Sequence, residues 1–420
     1  MGFMQVSVVG LGYIGTPTAV ILAQNNINVI GVDVSQKVVD TINAGELHIV
    51  EPGLGSVLKH VVEKGTLRAT TKPEPADVFI ITVPTPFTAG HRPDLSYIKA
   101  ATQSVAPVLK KGDLVILEST SPVGTTEQLA DWLGEARPDI SFPQQAGENA
   151  DVQIAYCPER VLPGKILQEL VNNDRVVGGM SAKASDMATA LYRIFVEGTI
   201  AITNARTAEM CKLTENSFRD VNIAFANELS MICDKLNVNV WELIRLANRH
   251  PRVKILQPGC GVGGHCIAVD PWFIVSSTPD LARLVSTARQ VNDHKPGWVI
   301  EKVLAARDEI LAAAPSRKES DLSVAVLGLT FKPDIDDMRE SPALAITIRL
   351  AEETSMSIKV VEPNISRRPQ VLAGLSLFPL ELALKNADII LILVAHKEFR
   401  GIKPLKSSQK FLDCVGLSKV

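Results

Sequence analysis

The sequence predicts an α/β protein in which two doubly wound parallel sheets are joined by a central helical domain. Three observations predict it. Strand-like apolar runs alternate with helical periodicity toward both ends of the chain. A glycine-rich turn directly follows the first of these runs. Between about 205 and 300 the pattern is helical, and no run reads as a strand.

The totals fit this picture. A chain of 420 residues with 46% hydrophobic residues holds two or three packed domains. Net charge is −3 with the two signs mixed, which argues against nucleic acid as a partner. No apolar run is long enough to span a membrane. The first residues read as a strand and a turn rather than a secretion signal, so a cytoplasmic location is expected. Six cysteines stand at 157, 211, 233, 260, 266 and 414 without a CxxC. Reduced thiols are expected there, with neither structural zinc nor any other metal.

Gln5–Val9 reads as a buried strand. It runs into Gly10-Leu11-Gly12-Tyr13-Ile14-Gly15 and a helix to about Asn25. A second strand, Val29–Val32, ends at Asp33, 18 residues after Gly15. This is a dinucleotide fingerprint in its expected context. Gly10 makes the turn, Gly12 admits the pyrophosphate, and Gly15 lets helix and strand close together. The helix N-terminus meets the phosphates. Asp33 accepts from ribose hydroxyls and repels a 2′-phosphate, so NAD is expected rather than NADP. The sheet is therefore Rossmann-like.

Further strands are expected at Val78–Val83 and Leu114–Glu118, ending in Pro84-Thr85-Pro86 and in Ser119 to Thr126. Ligands bind beyond the carboxyl ends of such strands. Thr85, Thr120 and Thr126 therefore face the cleft or serve as ordinary turn and cap residues. Another strand ends at Cys157-Pro158-Glu159-Arg160. Glu159 is a candidate base and Arg160 a candidate phosphate contact, or the two form a surface pair.

A long helix is expected from Arg206 to about Leu236. Glu209, Lys212, Asn216 and Arg219 follow at spacings of 3, 4 and 3 and share one face, toward solvent or toward a cleft. Arg249-His250-Pro251-Arg252 offers two guanidiniums around a proline turn, which suits a diphosphate or a solvated loop. In Gly259–Gly264, four glycines in six residues precede Cys266, and Asp270 follows four residues later. A thiol in such a loop is a nucleophile if its pKa is lowered, and otherwise an inert turn residue. After a polar stretch at 315–321, Leu322–Gly328 opens a second βα pattern with later strands at Ile358–Val361 and Asp388–Val394. It keeps only Gly328 of the fingerprint, so a nucleotide is expected to be held differently there. Expected boundaries are 1–203, 204–314 and 315–420, with dimerisation through the long apolar helices of the middle part.

Several of these motifs resemble the UDP-glucose/GDP-mannose dehydrogenase family. They are the glycine turn at 10–15, Ser119-Thr120-Ser121-Pro122-Val123-Gly124-Thr125, and Cys157-Pro158-Glu159-Arg160. The others are Ala208–Asn216, Gly263-Gly264-His265-Cys266 through Asp270-Pro271-Trp272, and Phe331-Lys332-Pro333 through Arg339–Pro342. They run in the family's order over essentially the whole chain. The resemblance implies a four-electron oxidation of a sugar C6 alcohol to a carboxylate, with two NAD reduced. The route is a thiohemiacetal and then a thioester on Cys266.

Lys212 and Asn216 match the oxyanion-stabilising pair, Asp270 the carboxylate near the thiol, and Glu159 and Thr120 the residues that manage the hydrolytic water. Arg160, Val161, Lys212, Asn216, Arg219, His250, Arg252, Gly263, Phe331 and Lys332 fall at positions that bind the UDP-sugar. Gly10, Gly12, Tyr13, Ile14, Gly15, Asp33, Thr85, Thr126 and Arg339 fall at cofactor positions. Cys260 lacks the flanking pattern. His265 and Val269-Asp270-Pro271 resemble the branch acting on UDP-N-acetylhexosamines. The stretches Asn204–Glu228 and Trp241–Arg252 resemble its UDP-N-acetyl-D-mannosamine members, with UDP-N-acetylglucosamine as the alternative substrate. A two-electron 3-hydroxy-acid dehydrogenase and a catalytically silent NAD-binding sensor are the remaining alternatives. One departure stands out: Asp413-Cys414-Val415-Gly416 lacks the family's basic residue two positions after the aspartate.

Overall fold

The computed structural model describes residues 5–88, 90–162, 164–264, 266–365, 372 and 374–417. They form two compact units, 1–215 and 216–420.

The first unit is built on an eight-stranded sheet: β1 (Gln5–Val9), β2 (Asn28–Val32), β3 (Leu67–Thr70), β4 (Val78–Ile81), β5 (Leu114–Leu117), β6 (Gln153–Tyr156), β7 (Arg175–Gly179) and β8 (Ile200–Asn204). Its order is β3-β2-β1-β4-β5-β6-β7-β8, so the first six positions read 3-2-1-4-5-6. Helices α1 (Gly15–Gln24), α2 (Gln36–Asn43), α3 (Leu54–Glu63), α4 (Ser96–Val105), α5 (Thr125–Ala136), α6 (Pro143–Ala146), α7 (Ile166–Asn172) and α8 (Ala182–Tyr192) connect the strands. Two apolar clusters cover the two faces of the sheet, one around Val6, Val8 and Ile80, the other around Phe79, Ile81 and Val115. Strands buried on both sides explain the unbroken runs Val-Phe-Ile-Ile and Leu-Val-Ile-Leu.

The sheet is parallel as expected, apart from one pair. β6 and β7 pair antiparallel, Ala155 with Gly179 and Tyr156 with Gly178. The connection through α7 re-enters the sheet at the end where β6 leaves it. β7 therefore runs back, and β8 joins it in parallel.

Helix α9 (Ala205–Lys235) runs through the boundary at 215. The second unit continues with α10 (Val240–Ala247), α11 (Asp270–Ser277) and α12 (Arg283–Ala313). It ends in a four-stranded sheet of β9 (Ser323–Leu327), β10 (Ser357–Val361), β11 (Ile389–Ile392) and β12 (Lys410–Asp413), with α13 (Pro342–Glu353) and α14 (Leu380–Lys385). Its order is β10-β9-β11-β12, all parallel, with apolar clusters on both faces.

Within this unit α9 and α12 are fastened by polar groups. Arg289 donates to Asp220 at 2.7 Å, and Asn292 donates to the same carboxylate oxygen at 2.8 Å. Asn227 donates to Asn292 at 2.9 Å, and its own oxygen accepts from the Gly259 N–H. That last bond anchors the start of the glycine-rich loop. No described helix is long and apolar enough to cross a membrane.

Candidate active site

In the first unit the glycine turn is set by hydrogen bonds from strand to strand. The Gly10 N–H donates to Val32 O at 2.8 Å. Asp33, at the tip of β2, accepts from Leu11 N–H (3.0 Å) and Ser35 N–H (2.9 Å). Gly10 has φ +97°, which disfavours any side chain. A Cβ at Gly15 would lie 1.8 Å from Gly10 O, so only glycine lets α1 start this close to the turn. A Cβ at Gly12 would meet nothing within 4 Å.

That open space over Gly12 fits the pyrophosphate of a dinucleotide. Each Asp33 oxygen, having accepted one backbone bond, keeps capacity for a ribose hydroxyl. The residues present therefore fit NAD. Tyr13 and Ile14 are half-buried beside the turn. Thr82, which the sequence did not single out, closes the turn from β4 by donating to Gly10 O at 2.7 Å. The Thr85 hydroxyl is buried and has no hydrogen-bond partner among the described residues.

Thr126 is buried at the start of α5 and is already engaged. Its N–H and hydroxyl donate to Glu209 at 2.8 and 2.6 Å, and the Gly124 N–H donates to the same carboxylate at 2.6 Å. Glu209 is thus no solvent-facing member of a polar stripe. Its carboxylate holds the turn before α5, and burial pushes its carboxyl up against the opposing pull of those bonds. Thr120 is half-buried three residues beyond the end of β5. Lys212 is half-buried on α9. Arg160 is held by Glu215 at 2.6 Å and by Asp174 O at 3.0 Å, with Val161 half-buried beside it. Buried Glu159 accepts from the Arg160 N–H at 2.5 Å and from the Arg175 guanidinium at 3.2 Å. Arg175 was not legible as a site residue, because it is a single charge that begins an otherwise uncharged buried strand.

In the second unit the glycine loop lies against the segment that follows β9. A Cβ at Gly263 would meet Glu340 O at 2.4 Å and Phe331 at 2.9 Å. Two predicted substrate positions, Gly263 and Phe331, are therefore neighbours. Lys332 is exposed beside them. The Cys266 carbonyl accepts the N–H of Val269 and of Asp270, turning the chain into α11. Cys266 is exposed; Cys157, Cys233 and Cys260 are buried, and no disulfide joins any of the six. Asp270, the first residue of α11, is buried and accepts from the Asn216 amide at 2.5 Å. Asn216 is itself buried, so it too leaves the solvent stripe, whereas Arg219 remains exposed.

His250 and Arg252 are exposed in the turn after α10, where His250 Nδ1 accepts from the Arg252 N–H. Arg339 is paired with Asp337 at 2.6 Å. His265 lies outside the described residues. Gly416, after the segment that lacks a base, is packed on Trp241; a Cβ there would meet the indole at 2.7 Å.

The second sheet also repeats part of the first one's turn. The Gly328 N–H donates to Val361 O at 2.9 Å, and the Leu329 N–H to Glu362 at 2.7 Å, as Gly10 and Leu11 do to Val32 and Asp33. Here the acid is buried and also bonded to His396 at 3.1 Å. Burial opposes ionisation, but the bonds from His396, Leu329 and Asn364 hold Glu362 below the ordinary range. A Val-Val-Glu strand end was the available signal.

Comparison with known proteins agrees with this arrangement. Residues 4–196 match the NAD-binding domain of the UDP-glucose/GDP-mannose dehydrogenase family, 206–294 its central domain and 325–418 its UDP-binding domain. The chain is 62% identical over 413 residues to a UDP-N-acetyl-D-mannosamine dehydrogenase of Yersinia pestis, covering 98% of both chains. It is 59% identical over 400 residues to an NDP-N-acetyl-D-galactosaminuronic acid dehydrogenase of Ralstonia nicotianae, covering 95% of this chain and 92% of that one. A solved UDP-D-ManNAc dehydrogenase of Pyrococcus horikoshii superposes with a TM-score of 0.85 at 41% identity, over 95% of this chain and 91% of that one. The chain belongs to the UDP-glucose/GDP-mannose dehydrogenase family, and its amino-terminal unit carries that family's NAD-binding domain.

Proposed function

We propose that this enzyme oxidises UDP-N-acetyl-D-mannosamine at C6 to the uronate, in two successive NAD-dependent steps. The observation that carries the reading is the Cys266 turn. An exposed thiol stands one helical turn before a buried Asp270 that is bonded to a buried Asn216. Bound at the amino-terminal fingerprint, NAD would supply the hydride acceptor for each step. Residues 1–203 are assigned to NAD, 204–314 to the helical centre and 315–420 to the UDP-sugar.

The residues divide the remaining work. Lys212 takes the alcohol proton and, with Asn216, stabilises negative charge on the C6 oxygen. An amide nitrogen carries two N–H bonds. Asp270 takes one of them and so fixes the direction of the other. The Cys266 thiolate adds to the C6 aldehyde before it can leave as the hydrate. Oxidation of that adduct leaves a thioester, which water cleaves with Glu159 as base and Thr120 orienting it. Phe331, Lys332 and Gly263 hold the nucleotide side of the substrate, with Arg160, Val161, Arg219, His250 and Arg252 as further contacts. Tyr13, Ile14, Thr85, Thr126 and Arg339 complete the cofactor positions.

Support for the substrate comes from the relatives named for UDP-N-acetyl-D-mannosamine; a relative of about equal identity bears a different sugar name, so the C2 and C4 configurations need a direct test. Purified enzyme with NAD should turn over UDP-N-acetylmannosamine with a kcat/KM at least about tenfold above the glucosamine and galactosamine nucleotides, a difference of roughly 1.4 kcal/mol. Faster turnover of either competitor would reassign the substrate.

We also propose a homodimer in the cytoplasm, where cysteines that form no disulfide stay reduced. Phe218, Phe225 and Ile232 are exposed along α9 at spacings of 7 and 7, with exposed Leu236 just past its end, an apolar stripe that a second copy would cover. A single-chain mass by light scattering would contradict this.

A further inference from the structure

A buried polar cluster sits under Glu159, and the reaction described above uses none of its other members. Arg175, 4% exposed on β7, donates to Glu159 Oε2 through one nitrogen and to Glu118 Oε1 through another, both at 3.2 Å. The latter nitrogen also reaches Cys157 Sγ at 3.8 Å. The guanidinium carbon stands 4.7 Å from the Tyr192 ring centre, and the Tyr192 hydroxyl donates to Glu118 Oε1 at 3.3 Å. Glu118 directly follows β5 and precedes Ser119 and Thr120, and its second oxygen is buried with no hydrogen-bond partner among the described residues.

One buried cation therefore faces two carboxylates. Burying an ion pair is costly, and apolar side chains would fill the space at least as well. Such a group is retained where it fixes a reactive neighbour. We infer that Arg175 is the positioning residue that aims Glu159 at the hydrolytic water, and that the charge on Glu118 sets how fully Arg175 is committed to Glu159. This inference rests on the role proposed above for Glu159.

The rest of the cluster isolates Glu118 as its titrating member near neutrality. Burial raises the Glu118 carboxyl to about 7, against the pull of Arg175 and with added repulsion from Glu159. Burial also pushes the Cys157 thiol up to about 12 and the Tyr192 hydroxyl well above its ordinary value. Arg175 stays charged, the two carboxylates outweighing its burial. Below about pH 7 the guanidinium serves Glu159 alone, and above it the two carboxylates share it.

The step affected is the last one. Water oxygen bonds to C6 and the bond from C6 to Cys266 Sγ breaks. The sulfur leaves as thiolate, and a water proton passes to Glu159 and then to solvent; no electrons change hands. Lysine at 175 keeps the charge and loses the fork.

In Arg175→Lys, rapid-mixing kinetics should show both hydride transfers within about twofold of wild type, with kcat lowered about tenfold or more. Intact-mass analysis of quenched enzyme should show an acyl adduct on Cys266. In Glu118→Gln the inflection of kcat near pH 7 should disappear. Equal slowing of every step without adduct, or an unchanged inflection in the glutamine variant, would overturn the inference. Should the lysine variant not fold, the near-isosteric glutamine variant decides through its pH profile. Failure of the underlying function would show in the wild type itself, as a missing second NADH.

Discussion

Cys266→Ser is expected to lower uronate formation by about a thousandfold or more, as losses of covalent nucleophiles do, while NAD binding is retained. A serine hydroxyl is far less ionised near neutrality than a thiol, so it adds poorly to the aldehyde. The aldehyde then escapes or hydrates. Fold effects should be small, because Cys266 is exposed and the substitution keeps the backbone carbonyl that turns the chain into α11. Product analysis by mass spectrometry, with NAD binding by fluorescence on the same sample, checks both halves. A serine variant making uronate at the wild-type rate would remove the thiol from the mechanism.

The second large effect separates two glycines that look equivalent in the sequence. Gly15→Ala should destabilise the first unit by several kcal/mol, because its Cβ would lie 1.8 Å from the Gly10 carbonyl oxygen and that neighbour is backbone. Gly12→Ala meets nothing within 4 Å, so thermal stability should stay within about 1 °C of wild type, roughly 0.5 kcal/mol or less. Its methyl group instead occupies the space left for the pyrophosphate, and NAD affinity should fall about tenfold or more, at least about 1.4 kcal/mol. Melting curves and NAD titrations on both variants check the contrast. Equal melting temperatures for the two would contradict the geometry.

Much of this was legible from the chain because local rules carry it. Gly10, Gly15 and Asp33 stand where the strand, turn and helix signals place them, and α9 spans the expected stretch. What escaped depended on distant pairings. The antiparallel β7 is set by where the chain re-enters the sheet, which periodicity does not report. Glu209 was grouped with Lys212 by helical spacing, yet its partners lie 83 and 85 residues away at Thr126 and Gly124. Arg175 reads as a lone charge at the start of a buried strand until Glu118 and Glu159 arrive from two other strand ends. Glu362 was hidden because the second sheet lacks the later glycines that advertise the first.

The most direct test of the account is the stoichiometry of the wild-type enzyme. With limiting UDP-N-acetylmannosamine and excess NAD, the absorbance of the reduced cofactor should reach two NADH per sugar, with the uronate as the sole sugar-nucleotide product. An end point of one NADH, with an aldehyde or ketone as product, would contradict the four-electron reaction and with it the role given to Cys266.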